Sequence, residues 1–246
     1  MDLDKGQHML IDEEILRKEI EIADLCKKDK VLEIGAGTGN LTKELVKNAG
    51  KVVAIEIDKD FKKELEEIKE KNKNLIVIYD NALEHDWKDY NKIVSNIPYS
   101  LSEPVVLKAI KEGVEELILI IGENFKEILS ARKSKIGIIA DLFYKFQPIK
   151  LVKKESFNPK PRVDSWLIKL ERKDIVTDVE EVLKKIVLKD GKTKNAIMYS
   201  LVEHGKTKNE AREIIDKMGI NNQVLEKPVK KITGKFLLRL KESLKI

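Results

Sequence analysis

At 246 residues the chain has room for one large domain, or a main domain with a small second one. It is 42% hydrophobic and 37% charged, enough apolar material for a core beneath a heavily ionised surface, and no apolar run nears the roughly 18 residues of a membrane span. The acidic, polar start MDLDKGQHMLIDEE argues against an ordinary signal peptide, and the single Cys26 excludes a disulfide framework or a cysteine-based zinc site. A reducing, cytoplasmic setting without membrane association is expected.

The charge is unevenly spread. Residues 1–141 carry 23 Lys and Arg against 29 Asp and Glu, a net of −6; residues 142–246 carry 25 against 14, a net of +11. A thermophile-like, lysine-rich surface accounts for the abundance of charge but not for this asymmetry. A basic C-terminal half beside an acidic N-terminal half points to a polyanionic partner.

Along the first 170 residues, short β-branched runs alternate with amphipathic helical stretches. Strands are predicted at KVLEIG (30–35), KVVAIEID (51–58), NLIVIYD (74–80), KIVSN (92–96) and ELILIIG (116–122), then at IKLVKK (149–154) and SWLIKLE (165–171). Helical patterns such as LTKELVKNAG and DFKKELEEIKEKNKN lie between them. Several strands are apolar at nearly every position, as in a parallel sheet covered on both faces. The pattern is that of a doubly wound α/β fold with seven strands. The last two strands, separated by Pro159 and Pro161 rather than by a helix, read as an antiparallel hairpin at one edge. Beyond about residue 173 only helical patterns remain. GKTKNA (191–196) and GKTKNEA (205–211) read as two similar helix starts, Thr207 and Glu210 having capping-box spacing. The expected organisation is therefore a domain over 1–172 and a small all-helical domain over 173–246.

Four strand ends carry polar chemistry. VLEIGAGTGNLT places Gly35, Gly37 and Gly39 where a strand turns into a helix, a pattern that serves either a plain tight turn or the close approach of a ligand. Glu56 ends the next strand, 17 residues after Gly39, where an acidic side chain can bond both ribose hydroxyls of a nucleoside. The spacing G-x-G-x-G differs from the G-x-G-x-x-G of pyrophosphate binders, which favours a nucleoside without phosphates such as S-adenosylmethionine. Asp80 ends the third strand; it is suited to an adenine amine, with the Asn81-Ala82 amides beside the ring, or to capping a turn. The fourth strand gives out at Asn96-Ile97-Pro98-Tyr99. There the Asn96 side-chain oxygen and the Ile97 carbonyl can each accept a hydrogen of an adenine N6 amine. Pro98 fixes the turn, and Tyr99 offers a stacking face for a base withdrawn from its neighbours. Catalysis of methyl transfer by such a site is positioning and aimed dipoles, with no general base required beforehand.

Taken together, these motifs resemble the rRNA adenine N6-dimethyltransferase family, small-subunit enzymes of archaeal type. KGQHMLID resembles the family's G-Q-N-F-L-x-D motif, VLEIGAGTGNLT its cofactor loop, VVAIEID and NIPY its acidic strand end and Asn-Leu-Pro-Tyr motif, and ESFNPKPRVDSWLIKL its F-x-P-x-P-x-V-x-S segment. LKDGKTKNAIMYSL resembles its basic R-R-K-x-x-x-N-x-L helix and EKPVKKITGKFLLRL its final helix. The resemblance implies a class I, Rossmann-like methyltransferase domain and S-adenosylmethionine as cofactor. It also implies dimethylation of N6 on two adjacent adenosines near the 3′ end of small-subunit (16S) rRNA, within ribosome biogenesis. It assigns His8, Leu10, Gly35, Gly37, Glu56, Ile57, Asp80, Asn81 and Asn96 to the cofactor. Asn96, Ile97, Pro98 and Tyr99 fall to the target base, with Phe157 stacking opposite Tyr99. Lys160, Arg162, Lys192 and Lys194 would meet RNA; no metal site is implied. The expected partner is small-subunit rRNA or an immature subunit, and the expected state a monomer.

The chain departs from the family in several places. His8 stands where Asn is usual; IIGENFKEIL lacks the usual Gln and Arg, and KIGIIA the usual Gly-Arg-Leu. Ile97 is shared with the sister family that methylates large-subunit (23S) rRNA and confers macrolide resistance. That sister activity, a non-catalytic assembly or transcription factor on the same fold, and a small-molecule methyltransferase are the alternatives.

Overall fold

The structure, a computed structural model, describes residues 8–174 and 177–244, so the Lys-Gly-Gln of the N-terminal motif lies outside the described residues. The apolar runs become strands as their composition dictates. β1 (Met9–Leu10), β2 (Lys30–Ile34), β3 (Lys51–Ile55), β4 (Leu75–Ile78), β5 (Lys92–Ser95) and β6 (Glu116–Gly122) alternate with α1 (Glu13–Ala23), α2 (Asn40–Asn48), α3 (Lys62–Lys71) and α4 (Ser102–Glu112). Then come α5 (Glu123–Ala131), α6 (Lys135–Phe143), β7 (Tyr144–Val152), β8 (Phe157–Asn158) and β9 (Ser165–Arg172). Helices α7 (Asp178–Leu188), α8 (Thr193–Glu203), α9 (Lys208–Lys217), α10 (Asn222–Leu225) and α11 (Gly234–Ser243) complete the chain.

The main sheet has seven strands in the order β4-β3-β2-β5-β6-β9-β7. β4, β3, β2, β5 and β6 run parallel, and β9 runs antiparallel to β6 from Glu116 opposite Glu171 to Gly122 opposite Ser165. The two last strands are neighbours at one edge, as expected, with β9 on the inside. β7 starts five residues earlier than its apolar run suggests and carries Pro148, which an edge strand tolerates. In β2 and β3 every residue but the leading lysine is buried, because helices cover both faces. β1 and β8 form a separate two-stranded ribbon that pairs Leu10 with Phe157. It joins the N-terminal motif to the Phe-Asn-Pro segment almost 150 positions away. Asp12 holds this junction. Its carboxylate caps α1 by accepting from the Glu14 and Ile15 amides and accepts the Ser156 hydroxyl at 2.7 Å, the contact that most lowers its pKa.

Sheet order reverses between β2 and β5, and there the ladder ends early. The paired residues are Val31 with Lys92 and Leu32 with Ile93; one turn nearer the rim, the Ile34 amide donates instead to the buried Ser95 hydroxyl at 2.7 Å. A side chain standing in for a backbone carbonyl lets the two strands part without stranding a buried N–H. A crevice opens at such a topological switch point.

The described residues divide into two compact units. The α/β unit takes residues up to 127 and 145–172; the helical unit takes 128–144 together with the residues from 173 onward. The expected boundary at 172/173 misses 128–144. The reason is α6: in KIGIIADLF all but Lys135 and Asp141 are buried, and the helix packs on α7 and α11. Strand-to-helix order along the chain carries no trace of that return. Within the helical unit the two GKTKN segments do start α8 and α9, and Thr207 and Glu210 form a reciprocal capping box. None of the described helices is long and apolar enough to cross a membrane.

Ser95→Ala leaves the Ile34 amide buried without a partner. It is expected to lower unfolding free energy by about 1–3 kcal/mol, measured by urea titration.

Candidate active site

The carboxyl ends of β2, β3, β4 and β5, with the β1–β8 ribbon, enclose a cavity of about 610 Å³ in the α/β unit. Eleven of the thirteen residues assigned from sequence to cofactor or target base line it: His8, Gly35, Glu56, Ile57, Asp80, Asn81, Asn96, Ile97, Pro98, Tyr99 and Phe157. Leu10 and Gly37 stand outside the wall. In β1, successive side chains point to opposite sides, so Met9 lines the cavity while Leu10, 3% exposed, goes to the core. Gly37 shapes the wall from behind: a side chain there would come within 2.6 Å of the Met9 sulfur.

Glu56 is the best-held acidic group at the rim. Its Oε2 accepts the Gly37 amide and its Oε1 the Asp58 amide, both at 2.8 Å, and the residue is 5% exposed. Two backbone donors fix the carboxylate plane while each oxygen keeps a lone pair for a further donor such as a ribose hydroxyl. Gly35 turns at φ +75°, a conformation suited to glycine, and so brings bare backbone to the floor of the cavity opposite Pro98. Asp80 is exposed; one oxygen accepts the Asn81 amide at 2.8 Å, and the other meets His85 Nε2 at 3.2 Å. The turn carrying Asn81–Leu83 rests on Trp87, fully buried, whose indole N–H donates to the Ala82 carbonyl at 3.0 Å.

These residues fit a cationic nucleoside. Among the described residues the wall holds Glu56, Asp58 and Asp80 and no lysine or arginine, which suits a diol and a positive charge and offers no cationic side chain to a phosphate. Ile57, 68% exposed, and Leu83 supply apolar faces for a ring. S-adenosylmethionine matches this donor set.

On the other side of the cavity stands Asn96. Hydrogen bonding assigns its amide so that the NH2 donates to Glu19, at 3.1 Å to Oε1 and 3.3 Å to Oε2. The side-chain carbonyl is thereby left for an outside donor. Ile97 is 3% exposed, packed into the wall of the cavity. The Tyr99 hydroxyl bonds the Ser165 hydroxyl at 2.5 Å, and the ring lies over Gly122, where an added Cβ would sit 3.3 Å from it. Burial raises the pKa of this phenol, which stays neutral. The His8 imidazole is a ring neighbour of Tyr99, centroids 6.4 Å apart and tilted by 31°, held by Nδ1 bonding to the Pro159 carbonyl at 2.7 Å. Phe157 is buried in the wall and the core cluster, 6% exposed.

Beneath the rim lie two carboxyls that the sequence analysis did not single out. Glu19 and Glu33 are fully buried, and desolvation pushes each pKa up to about 8. Glu33 accepts the Thr42 hydroxyl at 2.6 Å, and the Glu56 charge adds to its rise. A signal for Glu19 existed: Ile15, Glu19 and Ala23 recur every four residues on the buried stripe of α1, where a surface carboxylate has no place.

The basic residues expected to meet RNA fall in both units, each described by itself. In the α/β unit, Lys160 and Arg162 are exposed on the loop between β8 and β9, Lys160 paired with Glu155. In the helical unit, Lys192 precedes α8 and pairs with Glu226 at 2.6 Å, and Lys194 is half-buried in its first turn.

Comparison with known proteins bears on this site. A family model described as ribosomal RNA adenine dimethylase matches residues 3–233. A probable ribosomal RNA small subunit methyltransferase A of Methanococcus maripaludis is 32% identical over 241 residues, 94% of this chain and 88% of the relative. A protein of the same name from Thermococcus kodakarensis is 34% identical over 86% of this chain and 78% of its own length. A dimethyladenosine transferase from Plasmodium falciparum superposes with a TM-score of 0.67 at 27% identity, over 95% of this chain and 96% of that structure. The 23S rRNA methyltransferase ErmE gives 0.66 at 21% identity over 96% of this chain and 99% of its own, which speaks for the fold alone. That fold is the class I methyltransferase architecture, and by a match running nearly end to end the chain belongs to the ribosomal RNA adenine dimethylase family.

Proposed function

We infer that the protein is an S-adenosylmethionine-dependent enzyme that dimethylates the N6 amine of two adjacent adenosines near the 3′ end of small-subunit (16S) rRNA. The observation that carries the reading is the meeting, across one cavity, of a backbone-pinned acidic strand end and the Asn-Ile-Pro-Tyr turn. In the proposed roles, Glu56 takes the ribose hydroxyls, Asp80 and Asn81 the adenine, and His8, Leu10, Gly35, Gly37 and Ile57 shape the cofactor side.

Bound S-adenosylmethionine supplies an electrophilic methyl carbon on a sulfonium. The chain's part is to present the amine. Asn96 Oδ1 and the Ile97 carbonyl each accept one N6 hydrogen, drawing the nitrogen out of conjugation so that its lone pair faces the methyl. The sulfonium would give up its methyl to that lone pair, keeping the C–S electron pair on sulfur, and the site would then release the amine proton to water. Tyr99, braced by Ser165, stacks on the withdrawn base, and His8 or Phe157 bounds the slot on its other side. The domains divide the work: the α/β part binds cofactor, and the helical part with Lys192 and Lys194, helped by Lys160 and Arg162, binds RNA. We take the acting form to be a cytoplasmic monomer working on an immature small subunit.

Asn96→Ala is expected to reduce methyl transfer to immature small subunits by at least 100-fold, while affinity for S-adenosylhomocysteine by calorimetry stays within about threefold. Activity retained in that variant removes the mechanism. Transfer to small subunits but not to a large-subunit rRNA fragment is expected, read by mass spectrometry of dimethyladenosine. RNA affinity should fall steeply between about 50 and 200 mM salt, and the charge-reversing pair K192E/K194E should flatten that slope.

A further inference from the structure

Glu19 is the least expected side chain in the α/β unit. It is fully buried on the apolar stripe of α1, and among the described residues no lysine or arginine pairs with it. The groups that face it are the Asn96 amide at the end of β5 and the Glu33 carboxyl of β2, which has the Thr42 hydroxyl of α2 and the charge of Glu56 on its far side. A lone carboxyl in such a place opposes folding. Glu19 therefore calls for a reason other than stability, and its contact with Asn96 provides one.

An asparagine amide has nearly the same shape with its oxygen and nitrogen exchanged. Only the oxygen can accept a hydrogen from a substrate amine; an outward NH2 would meet that amine donor to donor. Something must choose between the two orientations. A carboxylate chooses unambiguously, because it accepts and cannot donate. Its two oxygens lie 3.1 and 3.3 Å from the Asn96 nitrogen, a geometry that engages the NH2 and turns Oδ1 outward.

We propose that Glu19 is a positioning residue for methyl transfer, its carboxylate gripping the Asn96 NH2 so that the side-chain oxygen faces the target amine. This rests on the role given to Asn96 above. Protonated Glu19 also has a hydroxyl that can donate to Asn96 Oδ1, so the neutral form tolerates the wrong orientation and the ionised form forbids it. Burial favours the neutral form at neutral pH. The turnover of the wild type should accordingly rise as pH passes through the neighbourhood of 8.

The test uses the full-length chain with Glu19→Gln, close in shape but never ionised, and Glu19→Leu, apolar in an apolar stripe. Both variants are expected to lower kcat by about tenfold or more, with KM for S-adenosylmethionine and for RNA within about twofold, and to lose the alkaline rise in the kcat–pH profile. A readout free of catalysis accompanies this in cofactor-free protein. The side-chain NH2 resonance that Asn96→Ser removes should titrate near pH 8 in the wild type and stay still in Glu19→Gln. The sign for stability is also set. A carboxyl whose pKa rises from about 4.5 to about 8 on folding contributes stability below pH 4.5 that is lost as pH climbs toward 8. Glu19→Gln should therefore gain in melting temperature over the wild type as pH rises from about 5 to 8.5. Wild-type kcat and an unchanged pH profile in both variants overturn the proposal, even where melting temperatures shift, because a purely structural Glu19 would move only the latter. An active Asn96→Ala protein would instead remove the reading on which the proposal stands.

Discussion

The site depends on one departure from regular pairing, where the Ile34 amide leaves the β-ladder for the Ser95 hydroxyl. A parallel sheet cannot open a gap between central strands without stranding polar backbone, and buried backbone groups must be paired. Ser95 resolves that conflict at the position where strand order reverses. The proposed site then follows from adjacency to the gap: Gly35 continues one strand, Asn96 the other, and the two face a common cavity. The Gly35 amide donates to the Ile55 carbonyl at 2.7 Å, so the glycine loop remains anchored to β3 while β2 and β5 part.

Orientation at the rim is set by neighbouring groups that brace each side chain. Glu56 is held by two backbone amides, Asp80 by one amide and His85, Tyr99 by Ser165, and Asn96 by Glu19. A reaction that proceeds by positioning needs its groups fixed before the substrate arrives, since a displacement of about 1 Å can cost on the order of a hundredfold in rate. The bare Gly122 beneath the Tyr99 ring belongs to the same arrangement, because a side chain there would push against the ring.

Much of this was legible in the sequence. Strand-end chemistry marked Gly35, Glu56, Asp80 and Asn96 because doubly wound sheets bind ligands at their carboxyl ends, and all four line the cavity. The supporting groups were not legible, because their partners are remote. Ser95 answers Ile34, 61 positions away, and Ser165 answers Tyr99 across 66. The period of two could have separated Met9 from Leu10, but a two-residue strand is too short to announce its phase. The membership of α6 in the helical unit was hidden for another reason: an all-round apolar helix looks alike whichever core receives it.

The buried carboxyls show what the site costs the fold. Glu19, Glu33 and Glu56 form a file running from α1 through β2 to the end of β3, Glu56 raising Glu33 and Glu33 raising Glu19, with Glu56 held by two backbone amides. Replacing Glu19 and Glu33 by apolar residues of similar volume would relieve desolvation that their bonds to Asn96 and Thr42 offset only in part. A chain shaped for stability alone would have made that exchange. That this one keeps acids on an apolar helix stripe and inside a central strand argues that the file serves the rim above it. Its negative field lies beneath the place where a sulfonium and a developing ammonium would meet, and it grows as the buried members ionise. The acidity of the wall and the acidity below it are then one electrostatic design, favouring a cationic methyl donor over a phosphate-bearing nucleotide from two depths at once.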